Sequence, residues 1–245
     1  MRPSTLRLAS AACAAVLAAG APALDGIRRE PVRFEKGASR AVLEARIRGD
    51  ETVDYVLRAG AGQTLTVTLK KSNGSNYFNV LPPGSNDVAM FVGQDGGDFE
   101  GVLPADGDYT VRVYLMRSAA RRNESSDYTL TIGVTGQALK PLPASQDAVL
   151  PGTSFHASAK VRCVPFLEMS ARECEAFVTR RGFEGTATVE IPQASGRRRI
   201  LFVKGQAVAS DATDTLSATR KGDVTVVKLG ADERYEIPDA LVSGG

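Results

Sequence analysis

The chain has no tryptophan, one histidine and three cysteines, and only 6% of its residues are aromatic. The single histidine, His156, leaves no partner for a histidine-rich zinc site and little room for a Ser-His-Asp system. It falls near a strand start, where a surface or partly buried strand residue is the expected role. An excess of one charge is also missing, since 30 Lys and Arg stand against 28 Asp and Glu. That balance gives no net field for nucleic acid or an anionic membrane surface. Beyond the first two dozen residues no apolar run approaches the roughly 20 that a membrane helix needs. Helical heptads and internal repeats are absent as well. No metal, no cofactor and no catalytic constellation is expected, and the chain reads as a non-enzyme.

The chain opens with a leader. Arg2 and Arg7 form a basic start, Leu8 to Ala19 is small and apolar, and Ala21-Pro22-Ala23 has the small-x-small form of a cleavage site. Residues 1–23 are therefore expected to be a signal peptide, with the mature chain beginning near Leu24. Cys13 follows Ser10-Ala11-Ala12, lacks the large aliphatic residue three positions before it, and sits too early for a lipid anchor. Cleavage would remove Arg2 and Arg7 and leave 28 basic against 28 acidic residues. Two cysteines remain, Cys163 and Cys174. In an oxidising compartment they read most simply as one disulfide. The CxxC spacing of a redox pair is missing, and the one histidine gives a metal site little support.

Strand signals dominate the mature chain. The first half shows about eight short alternating segments, among them Val32–Phe34, Arg40–Ile47, Thr52–Arg58, Gln63–Lys71, Val88–Val92 and Tyr109–Met116. Turn residues separate them, as in Ala59-Gly60-Ala61-Gly62 and Pro104-Ala105-Asp106-Gly107-Asp108. This pattern predicts an antiparallel β-sandwich over residues 24–136. Three prolines and a loss of periodicity mark residues 137–151 as a linker. Residues 152–245 then carry eight further strand candidates, from Ser154–Cys163 to Glu233–Ile237. The fold expected is all-β: a sandwich followed by a second small β-rich domain with one disulfide.

Most polar clusters have plain readings. Asp106 and Asp108 flank Gly107 as tight turns favour. Gln94-Asp95-Gly96-Gly97-Asp98 lacks the ordered spacing of an EF-hand and reads as a loop. Arg197-Arg198-Arg199 reads as a solvated strand end. The segment between Met116 and Tyr128 is different. It is predicted to be a hairpin loop bearing Arg117, Arg121 and Arg122, whose guanidinium groups are bidentate partners for carboxylates. A solvated loop tip is the plain alternative. Arg122 and Glu124 are close enough to pair with each other at the surface.

Ala61–Val134 resembles the family of periplasmic inhibitors of g-type lysozyme. The likeness rests on Ser72-Asn73-Gly74-Ser75-Asn76-Tyr77-Phe78-Asn79, on Leu81-Pro82-Pro83-Gly84-Ser85 and on Gly93-Gln94-Asp95-Gly96-Gly97. It is strongest over Tyr109–Arg117 and Ala119–Ser125. The resemblance implies a compact β-sandwich in the periplasm that inserts two loops into the cleft of a goose-type lysozyme. Arg117, Arg121 and Arg122 would meet carboxylates there. Tyr77 would lie where a sugar ring lies, although a core position suits it equally. Ser72, Asn73 and Asn76 would supply hydrogen bonds. The likeness stops before residues 152–245, to which it assigns no activity. A cell-envelope or secreted module that binds glycan or protein without inhibiting is the alternative from a different class.

Overall fold

A computed structural model describes residues 26–244 apart from positions 169, 183 and 195. The expected signal peptide lies outside the described residues. In chain order come β1 (Ile27–Pro31), β2 (Arg40–Arg48), β3 (Thr52–Ala59), β4 (Thr64–Lys71) and β5 (Asn76–Leu81). Then come β6 (Phe91–Val92), β7 (Phe99–Val102), β8 (Gly107–Leu115), helix α1 (Arg117–Arg121) and β9 (Ser125–Thr135). These strands make a five-stranded sheet, β1-β3-β8-β5-β6, and a four-stranded sheet, β2-β9-β4-β7.

Alternation decides what lies between the sheets. Val53, Tyr55 and Leu57 point inward from β3, as Tyr109, Val111, Val113 and Leu115 do from β8. Leu65 and Val67 of β4 and Leu130 and Ile132 of β9 complete the same core from the other sheet. Each such side chain contributes about 1.5–3 kcal/mol when fully buried. A polar contact crosses the core between the hydroxyls of Tyr55 and Tyr128 at 2.8 Å. Burial raises both phenol pKa values, so the pair stays neutral.

Two expectations for this half need correction. Val32–Phe34 is not a strand; the first strand is β1, just before it, and Val32 and Phe34 only pack on the core. Nor is every pairing antiparallel. β1 runs parallel to β3, because β2 intervenes in the opposite sheet and the chain returns in its original direction.

The remaining strands are β10 (Ala157–Val164), β11 (Arg172–Arg180), β12 (Ala187–Gln193) and β13 (Gly196–Val203). Next are β14 (Gln206–Ser210), β15 (Leu216–Lys221), β16 (Val224–Leu229), β17 (Glu233–Pro238) and helix α2 (Asp239–Ser243). They form one eight-stranded antiparallel sheet in the order β14-β13-β12-β11-β10-β17-β16-β15. Its edge strands β14 and β15 are consecutive in the chain and approach each other, which curls the sheet into an open barrel. Val189, Ile191, Phe202, Val227 and Ile237 fill its interior, and Leu241 and Val242 of α2 pack against them. Cys163 and Cys174 form a disulfide across the β10–β11 pair. His156, near the start of β10, is buried: its Nδ1 accepts the Arg180 N–H at 3.0 Å, and Nε2 lies 3.0 Å from the Leu142 carbonyl.

The Arg197–Arg199 run is not a solvated strand end. Arg198 shares the inward face of β13 with Ile200 and Phe202. Its guanidinium donates to both carboxylate oxygens of Glu233, at 2.7 and 3.0 Å, and to Asp211 at 3.1 Å. Arg199 holds the other Asp211 oxygen at 3.1 Å. Inward alternation, not the charge of the run, set its burial.

Candidate binding tip

Strand directions sort the loops of the sandwich into two groups. The β2–β3 turn, the β4–β5 loop and the β8–β9 connection lie at one end, since Arg48 pairs with Ser125 and Asn76 with Leu115. The loops around Ala61, Ala89 and Pro104 lie at the other, about 26 Å away along strands of about eight residues. The barrel docks on that second end. Arg181, 3% exposed, donates to Asp106 at 2.7 Å and to the Leu139 carbonyl at 2.6 Å. Thr188 donates to the Pro104 carbonyl at 2.7 Å, and Thr213 to that of Ala89 at 3.0 Å. Ala61 packs with Leu201 and Ala209 beside these bonds. Among the described residues the barrel makes no such bond to the first end.

At the first end, the predicted hairpin loop turns out to be a crossing between sheets. β8 pairs with β3 and β5, whereas β9 pairs with β2 and β4. Both strands send alternate residues into the same core from opposite sides, so they cannot also lie edge to edge. The chain crosses on α1. Ala119 of this one-turn helix is fully buried, which fixes it to the core. Arg117 and Arg121, four positions apart, project together from the solvent side. Neither makes an ion pair among the described residues, in contrast to Arg122, whose Nε donates to Glu124 at 2.6 Å.

The helix ends for a local reason. Asn123 has a φ of +56°, the left-handed conformation that asparagine tolerates better than most residues. The Asn123 N–H then reaches the Ala120 carbonyl at 2.8 Å and the Glu124 N–H reaches that of Ala119 at 3.2 Å. These two bonds define a Schellman stop. It delivers the Glu124 side chain to the neighbouring loop, where Oε2 accepts from Asn73 Nδ2 at 2.9 Å. Asn73 and then Arg122 hold the Glu124 carboxyl below its ordinary pKa.

The β4–β5 loop is shaped by its own amides. Asn73 Oδ1 accepts the Ser75 N–H at 2.9 Å, and its carbonyl accepts the Asn76 N–H at 3.1 Å. Ser72 Oγ accepts the Asp127 N–H at 2.9 Å. Asn76, expected to offer a hydrogen bond outward, is fully buried and gives its amide to Ser126 at 3.1 Å. Its register opposite Leu115 turns the side chain inward, so it holds the loop. Tyr77 is not a core residue. It is half-buried on the outer face of β5, beside Tyr114, with the Lys71 ammonium 4.0 Å from its ring centre. Tyr114 is fixed by Asn79 at 3.1 Å and Gln94 at 3.0 Å. Further along this face Arg112 makes a bidentate pair with buried Asp54, at 2.7 and 2.9 Å. Sequence reading paired Glu124 with Arg122 but missed its bond to Asn73, the setting of Tyr114 and the Asp54–Arg112 pair; for the last two, the outward phase of β8, with Arg112 and Tyr114 on one face, was the available signal.

The tip has the make-up of a recognition surface: fixed loops, exposed unpaired cations and an aromatic flank. Among the described residues no group of three or more His, Cys, Asp or Glu could hold a metal ion. The class so defined is a β-sandwich that gathers three of its loops at one end. Comparison with known proteins gives the family. The chain is 38% identical to the periplasmic inhibitor of g-type lysozyme of Aeromonas hydrophila, over 44% of this chain and 97% of that protein, with a TM-score of 0.42. For the Salmonella Typhimurium protein the values are 28%, 44%, 97% and 0.35. The inhibitor of g-type lysozyme of Escherichia coli K12 is 29% identical over 106 residues, 42% of this chain and 78% of that relative. No protein-family model matches the chain. On its identity to the Aeromonas protein, the chain belongs to the family of periplasmic inhibitors of g-type lysozyme.

Proposed function

We propose that this protein is a periplasmic inhibitor of goose-type lysozyme that acts by binding, without catalysis of its own. The observation that carries the reading is the pair Arg117 and Arg121. Both stand exposed on a helix anchored by buried Ala119, in a chain with 38% identity across nearly all of the Aeromonas inhibitor. A glycosidase cleft holds carboxyl groups flanking the bond it cleaves. Guanidinium groups fixed on a rigid turn suit such a target, at about 1.5–3 kcal/mol for each desolvated charge-assisted bond. Tyr77 would add a stiff amphipathic anchor beside them. Ser72 and Asn73 shape the second inserted loop, and Arg122 serves mainly through its pair with Glu124. In this reading residues 24–136 carry the activity, 137–151 join them to the rest, and 152–245 form a second unit.

One observation favours a second reading. Tyr77 and Tyr114 lie side by side with the amides of Asn79 and Gln94, which is chemistry suited to a sugar face. That would make the sandwich a glycan-binding module of the cell envelope. A lysis assay separates the two. The mature protein, titrated against goose-type and chicken-type lysozymes, is expected to stop the goose type alone. No slowing of either enzyme at about micromolar inhibitor, a binding free energy of roughly 8 kcal/mol, overturns the inhibitor reading.

A further inference from the structure

We infer that the binding tip has a third member, the β2–β3 turn with Arg48, and that Glu124 is the positioning residue at the junction of all three loops. This rests on the inhibitor reading and goes beyond the two loops with which that reading begins.

The turn is built to meet the β8–β9 connection closely. Gly49 has a φ of +61°, the left-handed conformation that calls for glycine, and a Cβ there would stand 3.0 Å from Asn123 Oδ1, so the two loops meet closely. The Gly49 N–H donates to the Glu124 carbonyl at 2.9 Å. Within the turn, the Arg48 N–H donates to Glu51 Oε2 at 3.0 Å and the Glu51 N–H to the Arg48 carbonyl at 3.2 Å. The Arg48 backbone is therefore fixed, and its side chain makes no ion pair among the described residues. Its neighbour Arg46 is spent on the sheet, donating to Ser125 Oγ at 2.8 Å. Arg48 thus shares one end of the sandwich, and one electrostatic condition, with Arg117 and Arg121.

Glu124 touches each loop in turn. Its carbonyl holds Gly49 of the first, its Oε2 holds Asn73 of the second, and its Oε1 holds Arg122 of the third. Loops tied in this way lose less freedom when a partner binds, which strengthens binding without a new contact. The surface presents three exposed cations that make no ion pair among the described residues, so it suits an acidic protein site.

The test uses the full mature chain against a goose-type lysozyme, measuring inhibition constant, dissociation rate and thermal midpoint. Arg48→Ala is expected to raise the inhibition constant about tenfold with an unchanged midpoint. Glu124→Ala is expected to speed dissociation about tenfold and to expose the Ser72–Asn76 and Gly49 amides to faster hydrogen exchange. Glu124→Gln should recover part of the loss, because its amide oxygen still accepts from Asn73. Should the wild-type chain inhibit and both alanine variants match it, the inference fails alone. Should the wild-type chain not inhibit, the inhibitor reading fails and this one with it.

Discussion

The sandwich and the barrel are both all-β, yet the arginines at the sandwich tip and those inside the barrel stand in opposite conditions. In the barrel, Arg198 and Arg199 lie against Glu233 and Asp211, and Arg181 is sunk between Asp106 and Thr188. Their charges are matched and mostly buried, and burial lowers the Arg198 pKa less than Glu233 and Asp211 raise it. At the tip of the sandwich, Arg48, Arg117 and Arg121 stand on fixed backbone and no described residue answers them. A matched, buried cation serves the fold. On the proposed function, an unmatched cation on a rigid turn is held ready for a partner. The sandwich core itself avoids charge, crossing its two sheets with a neutral tyrosine pair.

The comparison breaks most easily in the barrel. Glu233→Ala would leave Arg198, 6% exposed, with Asp211 as its one remaining carboxylate. Removing one member of a buried pair costs about 3–5 kcal/mol. Calorimetry should show that loss in the barrel, while inhibition by protein that remains folded is unchanged. Replacing Cys163 and Cys174 together by serine should cost somewhat less, about 3 kcal/mol for a closed loop of this length. A free-thiol count of two in the native protein would remove the disulfide altogether. If either change weakened inhibition in proportion to stability, the division of labour between the two regions would be wrong.

Much of this was legible in the residues, for one physical reason. Side-chain alternation has a period of two, so inward and outward faces can be read directly. All eight strands of the barrel follow from it, as do the buried phase of β8 and the outward phase that carries Arg112 and Tyr114. Alternation says which face is buried but not which sheet a strand joins. For that reason β8 and β9 read as a hairpin, although they belong to facing sheets. It also gives no hint that Arg198 faces a carboxylate 35 positions away, or that Arg181 meets Asp106 across 75. Pairings that span such distances depend on how the sheets close, and local pattern is silent there. At the tip, the arginines were visible as a cluster, while Glu124 was not visible as the residue that joins the loops.

The most direct measurement compares function with stability at the tip. The double variant Arg117→Ala, Arg121→Ala removes two exposed, unpaired cations from α1. Surface changes of this kind usually alter stability by less than about 0.5 kcal/mol. The inhibition constant against a goose-type lysozyme should rise about a hundredfold, at roughly tenfold for each charge-assisted contact, while the thermal midpoint stays put. A variant that inhibits as well as the wild type, or one that fails only because it unfolds, would contradict the account.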